Sequence, residues 1–220
     1  ATPEILNDRS KLTLLKSLQS SGKLLDVGCA MGGFLQQAKE TGYDAQGLEV
    51  SRDAADVAIG KELEVFNGTL EQAAFTASTF DIVTMWDVIE HLQNPEAELH
   101  EIFNILKPGG ILAFSTGDTS AHWARLTGRH WQLMTPPQHL FYFNRKSAAD
   151  CLQRAGFHML SITHPPKITT IEFLLFKARE SFGSWIKPLQ GCASKIGLNN
   201  LKIKVNLGDI MTCVAQKPQD

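Results

Sequence analysis

Residues 24–34, Leu-Leu-Asp-Val-Gly-Cys-Ala-Met-Gly-Gly-Phe, restrict the fold of this 220-residue chain more than any other stretch. The apolar run from Lys23 to Val27 reads as a short buried strand that ends in a glycine turn. Phe34, Leu35 and Ala38 then share one helical face, and Thr41-Gly42 closes that helix. Glycines belong in such a turn for two reasons. A side chain would block a ligand lying against the backbone, and the turn uses dihedral angles that are costly for other residues. The start of the following helix also offers unpaired N–H groups to a carboxylate.

The same alternation continues to about residue 163. A leading helix carries Leu12, Leu15 and Leu18, and further strands are expected at Ala45 to Val50, Glu64 to Phe66, Phe80 to Trp86, Ile111 to Ser115 and Phe157 to Thr163. Ser51 and Asn94 cap the helices after the second and fourth strands, and Asn144 opens another that stops at Gly156. Lys107-Pro-Gly-Gly terminates the helix that Asn94 begins. Strands alternating with helices imply a Rossmann-like, doubly wound α/β fold: a mostly parallel seven-stranded sheet with helices on both faces, in a single domain. Two segments interrupt the pattern. One is an aromatic insert at 116–143, and the other is a hydrophobic helical insert at 165–206 before a last strand at 207–216.

Composition excludes several classes. A net charge of −2 supplies no basic excess to neutralise phosphates, so no nucleic-acid partner is expected. Cys29, Cys151, Cys192 and Cys213 lie far apart without a CxxC pair, which argues against zinc-ribbon spacing and for free thiols in a reducing compartment. There is no basic-then-apolar leader and no apolar run long enough to span a bilayer, so a cytoplasmic location is expected, with peripheral membrane contact left open.

Glu49 ends the second strand, where a carboxylate can accept hydrogen bonds from both hydroxyls of a ribose. The glycine loop alone does not identify the ligand. Gly28, Ala30 and Gly33 fit a nicotinamide-dinucleotide fingerprint, while Asp26, Gly28 and Gly32 fit an S-adenosylmethionine loop equally well. Further along the chain come Gly-Leu-Glu-Val-Ser, Phe-Asp-Ile-Val-Thr-Met-Trp-Asp-Val-Ile-Glu-His-Leu and Leu-Lys-Pro-Gly-Gly. With the glycine loop, these four motifs in order resemble class I S-adenosylmethionine-dependent methyltransferases, in the branch that includes ubiquinone-biosynthesis O-methyltransferases. A nicotinamide oxidoreductase would account for only the first two motifs. A non-catalytic protein that binds S-adenosylmethionine is the other alternative.

The resemblance implies roles for the matching positions. Gly28, Ala30 and Gly32 would lie against the methionine part of S-adenosyl-L-methionine, with Asp26 fixing the loop and the cofactor's ammonium. Glu49 would hold the ribose, and Val50 would pack on the adenine. Thr69 and Leu70 would form the adenine-edge turn, with a backbone contact from Leu70. Trp86 would stand where cofactor and acceptor meet. Ala30 replaces the usual middle glycine, a change expected to be tolerated if its backbone is ordinary.

The acceptor is expected to be a small molecule methylated on oxygen, with carbon or nitrogen as alternatives. Candidate bases are His91 and His139, because an imidazole with an unperturbed pKa near 6.5 suits proton removal. Relatives with a Glu-x-x-Glu-His run bind a divalent metal, and Asp87-Val88-Ile89-Glu90-His91 is similar to it. Asp87 and Glu90 also have capping-box spacing with His91 packed nearby, and that reading, without a metal, is preferred. The 116–143 insert, with Trp131 and the run Pro137-Gln-His139-Leu-Phe-Tyr-Phe-Asn144, resembles bacterial methyltransferases found beside sugar and surface-polysaccharide pathways. Its aromatics are expected to cover the acceptor, or else to form a satellite core. Ile171, Leu174, Leu175, Ala178, Phe182 and Trp185 or Ile186 make one helical stripe, which suits a packed helix, an acceptor lid, a dimer contact or a membrane-surface helix.

Overall fold

The computed structural model describes residues 1–183, 187–195 and 197–219. Its strands are β1 (Lys23–Val27), β2 (Asp44–Glu49), β3 (Val65–Asn67), β4 (Phe80–Trp86), β5 (Leu106–Gly117), β6 (His158–Thr163), β7 (Lys167–Thr170), β8 (Lys202–Val205) and β9 (Ile210–Gln216). Leu24, Leu25, Asp26 and Val27 of β1 are all buried, because this strand lies mid-sheet with helices over both faces. Seven strands pair in the order β3-β2-β1-β4-β5-β9-β6, with β9 antiparallel to both its neighbours. A dinucleotide-binding Rossmann sheet runs 3-2-1-4-5-6 in parallel, so a reversed strand wedged before the edge is a departure from it.

The helices are α1 (Pro3–Leu18), α2 (Gly33–Glu40), α3 (Arg52–Ile59), α4 (Leu70–Ala73), α5 (Pro95–Ile105), α6 (His122–Thr127), α7 (Arg145–Arg154), α8 (Ile171–Phe182) and α9 (Lys187–Lys195). The expected caps form. The Asn94 side chain accepts from the Ala97 amide, Ser51 from Ala54, and Asn144 exchanges a capping box with Ser147. Two cores result, one on each sheet face. Leu12, Leu15, Leu35 and Ala58 join the first from α1, α2 and α3, and Leu99, Ile102 and Leu152 join the second from α5 and α7. Burying each such leucine or isoleucine is worth about 1.5–3 kcal/mol.

Several expectations need correction. α5 ends at Ile105, and Lys107-Pro-Gly-Gly lies inside β5 rather than ahead of it, with Leu106 already paired to Phe80. The 165–206 insert is not purely helical. β7 and β8 pair antiparallel and flank α8 and α9, in a two-stranded sheet that short polar strands do not announce. Trp185 and Ile186 of the expected stripe lie outside the described residues. In the 116–143 insert, Trp131 and Phe143 are buried, and the Trp131 indole N–H donates to the buried Asp209 carboxylate at 2.9 Å. Phe143 therefore belongs to the second core with Phe114, and Trp131 is a separate buried anchor held by Asp209. Asn7 clasps Ile168 with two hydrogen bonds, 3.0 Å to its carbonyl and 2.8 Å from its amide, so α1 is sewn to β7. Among the described residues no helix is long and apolar enough to cross a membrane.

Candidate active site

The carboxyl ends of β1, β2 and β4 converge on the loop that follows β1. The Gly28 and Cys29 amides both donate to the Leu48 carbonyl, at 2.7 and 3.1 Å, which turns the chain off the sheet. The Ala30 amide donates to Glu49 Oε2 at 2.9 Å, and the Ser51 amide donates to Glu49 Oε1 at 2.7 Å. A single buried carboxylate thus ties the ends of two strands together while each oxygen keeps a free lone pair.

The glycines have an internal reason to be glycines. Gly28 (φ +73°) and Gly32 (φ +77°) are left-handed, and a Cβ would stand 2.5 Å from a Val88 methyl at the first and 2.4 Å from a Leu63 methyl at the second. Ala30 is also left-handed, at φ +48°, contrary to the expectation of an ordinary backbone. The Glu49 bond to its amide is what holds that conformation, which costs an L-residue about 1–2 kcal/mol.

Asp26 is buried beneath this loop, where its carboxylate accepts from the Thr84 hydroxyl at 2.7 Å. Burial pushes its pKa up to about 7, against the Thr84 bond and the positive charge of Lys11. Cys29 is buried too, and burial pushes its thiol up to about 12, so it is inert. Val50, beside Glu49, is 67% exposed, an unusual surplus of apolar surface. The Thr69 hydroxyl is already committed as the cap of α4, in a capping box with Gln72. Leu70 opens α4 and is buried as a side chain, and its backbone amide lies outside the ladder of that helix.

Trp86 ends β4, edge-on to Phe34 with ring centroids 5.4 Å apart. Above it stands Lys11 of α1, 4.8 Å from the ring centroid and 3.0 Å from Asp8. The Trp86 indole N–H is buried and has no partner among the described residues, as expected of a donor reserved for a ligand. These observations fit S-adenosylmethionine: a carboxylate for ribose hydroxyls, exposed Val50 for the adenine, a buried carboxylate for the ammonium and an unspent donor beside them.

Beyond Trp86 the expected capping box does not form. Asp87 accepts from the Ser115 hydroxyl at 2.7 Å and faces Lys167 at 3.5 Å, while Ile89–His91 make a 3₁₀ turn. The metal set implied by the Asp87-to-His91 run does not assemble either, since Asp87 is turned to those partners. Instead the structure joins His91 to His139, with ring centroids 4.6 Å apart, and Glu90, His91 and His139 bring one potential ligand atom each within 4.8 Å of one another. His91 Nδ1 bonds the Gln138 carbonyl at 2.9 Å. Burial and the neighbouring His91 hold the His139 pKa below its ordinary value, and burial raises that of Glu90. The void beside His139 is only about 10 Å³.

Sequence reasoning missed Asp8, Lys11, Thr84 and Lys167. Each reaches the site across a long chain separation, and no local spacing marks it.

The reversed β9, the glycine loop and the β2 carboxylate define the class I methyltransferase fold. The chain belongs to the methyltransferase-domain family, whose profile matches residues 5–162, and it is an S-adenosylmethionine-dependent methyltransferase domain. It is 33% identical over 104 residues to a ubiquinone biosynthesis O-methyltransferase of Azoarcus sp. (strain BH72), covering 43% of each chain. The chain thus spans under half the length of the curated relatives it matches. Similar folds include a methyltransferase of Thermotoga maritima described as a possible histamine N-methyltransferase (TM-score 0.64, 20% identity, 98% of this chain and 91% of that one). An S-adenosylmethionine-dependent methyltransferase from Archaeoglobus fulgidus is another (TM-score 0.68, 16% identity, 97% and 94%).

Proposed function

We propose that this domain transfers the methyl group of S-adenosylmethionine to an oxygen of a small-molecule acceptor, in the cytoplasm. The observation that carries the cofactor assignment is the Glu49 carboxylate, which joins the glycine loop to the end of β2 and still has lone pairs for two hydroxyls. On this reading Gly28, Ala30 and Gly32 bound the methionine portion, Asp26 faces the ammonium, Val50 and the Leu70 amide meet the adenine, and Trp86 stands at the junction with the acceptor. Thr69 serves by capping α4 with its hydroxyl rather than by touching the adenine. Oxygen is favoured because the partial relatives are O-methyltransferases. The free thiols Cys29, Cys151 and Cys213, all buried, suit a reducing compartment.

S-adenosylmethionine supplies an activated methyl group, so the protein's tasks are to orient the acceptor and to take its proton. His139 is our candidate for the proton. Burial and the neighbouring His91 hold its pKa below the ordinary value, which keeps the imidazole a neutral base at neutral pH. His91, edge-on to it, orients the ring and can relay the proton.

A thermal-shift comparison tests the function. S-adenosylhomocysteine at 100 times its dissociation constant should add about 2.7 kcal/mol of stability, and NAD should add none. Stabilisation by NAD alone would overturn the assignment.

A further inference from the structure

A cavity of about 450 Å³ lies between α1 and the 165–206 insert, in the usual range for a small-molecule site. We propose that it receives the body of the methyl acceptor, and that the acceptor is therefore a small molecule with an apolar body. This rests on the methyl-transfer reading above.

Its position is the first argument. Ile210, in the cavity wall, opens β9 and pairs with Gly117, the last residue of β5. Because β9 runs backwards, its first residue lies at the carboxyl edge of the parallel strands, where α/β sheets bind ligands. Lys167, also in the wall, reaches Asp87, the residue after Trp86, at 3.5 Å. The cavity is therefore one side chain away from the cofactor end of β4. The same helix α1 supplies Asn7 to the wall and, one turn later, Lys11 to the face of Trp86.

The lining is the second argument. Leu133, Ile168, Phe173, Leu174, Leu207 and Ile210 come from three separate segments, and their surfaces are left uncovered by the two cores. Two of the wall's charges are already satisfied within the protein, Asp209 by Trp131 and Gln132, and Lys167 by Asp87. What a ligand meets is mainly hydrocarbon. The void at His139 is far too small to hold the body of the acceptor, so the aromatic insert contributes Gln132 and Leu133 to the wall around that body.

The test uses the whole chain and N-phenyl-1-naphthylamine, an uncharged apolar dye that brightens when it leaves water. Wild type should bind one dye per chain, and should bind it equally well when saturated with S-adenosylhomocysteine. Leu174→Arg and Leu207→Arg each place a charge in the wall and should weaken the dye at least about tenfold. Both should leave S-adenosylhomocysteine affinity within about twofold by calorimetry, with thermal melts checking that each variant folds. Two variants are used so that an unfolded one does not end the test. Failure of wild type to bind the dye, unchanged dye affinity in the folded variants, or displacement of the dye by S-adenosylhomocysteine would each overturn the proposal. Failure of wild type to bind S-adenosylhomocysteine would instead overturn the cofactor reading on which it rests.

Discussion

Replacing Glu49 tests whether one carboxylate both builds the loop and holds the cofactor. Glu49→Ala deletes the acceptor of two backbone amides, Ala30 at 2.9 Å and Ser51 at 2.7 Å. Both bonds are part-buried, stranding a donor costs at most about 1–3 kcal/mol, and Ala30 also loses a bond made in its left-handed conformation. A loss of about 2–4 kcal/mol is expected, a large share of the 5–15 kcal/mol typical of a folded domain. Glu49→Gln separates the two roles. Its one carbonyl oxygen can serve one amide, so stability should fall less than in the alanine variant. A ribose hydroxyl, however, exchanges a charged acceptor for a neutral one, and affinity should fall about ten- to a hundredfold for a difference of 1.5–3 kcal/mol. Urea unfolding gives the first quantity and calorimetry with S-adenosylhomocysteine the second. Unchanged affinity in Glu49→Gln would show that the carboxylate is only a loop tie. Unchanged stability in Glu49→Ala would show that the two amide bonds contribute nothing.

Ala30→Gly should stabilise the empty protein by about 0.5–1 kcal/mol, because the left-handed penalty outweighs the chain entropy of glycine; a destabilised variant in urea unfolding would contradict the φ of +48°. Asp26 has a folded pKa of about 7, raised by burial from 3.8, so its favourable contribution is complete at low pH and is lost as pH climbs through 7. The melting temperature of Asp26→Asn relative to wild type should therefore rise between pH 5 and 8, and a constant difference would mean that Asp26 is ionised throughout. His139→Ala should leave S-adenosylhomocysteine affinity unaltered while turnover on the true acceptor falls by about 10²–10⁴; normal turnover would leave proximity alone to drive the transfer.

The half of the site that lies near the glycine loop was legible in the sequence because it depends on local dictates. The strand–glycine–helix passage, Glu49 at a strand end and the caps Ser51, Asn94 and Asn144 are all set within a few residues. The geometry behind them was less accessible. Nothing near Gly28 says that Val88 is the atom it avoids, and the left-handed Ala30 depends on a carboxylate from another strand. The acceptor side was less legible for a related reason. Aromatic density drew attention to 116–143, yet Trp131 is consumed by Asp209, a residue far along the chain. The apolar side chains of the cavity wall have no distinctive spacing, and β7 and β8 are too short to stand out from the helical insert until they pair with each other.

The placement of β9 has a consequence for how such enzymes can diversify. β6 and β9 are antiparallel neighbours, and Thr163 at the end of one pairs with Thr212 near the start of the other. Everything between them leaves the sheet and returns to almost the same point, where a tight hairpin turn of two to five residues could close the gap. The 165–206 segment is thus an interchangeable cartridge: it can be shortened, lengthened or swapped without re-registering a single strand of the catalytic platform. With the acceptor placed as proposed, selection can exchange one clientele for another at this junction while the proposed methyl-donor machinery at β1, β2 and β4 stays as it was.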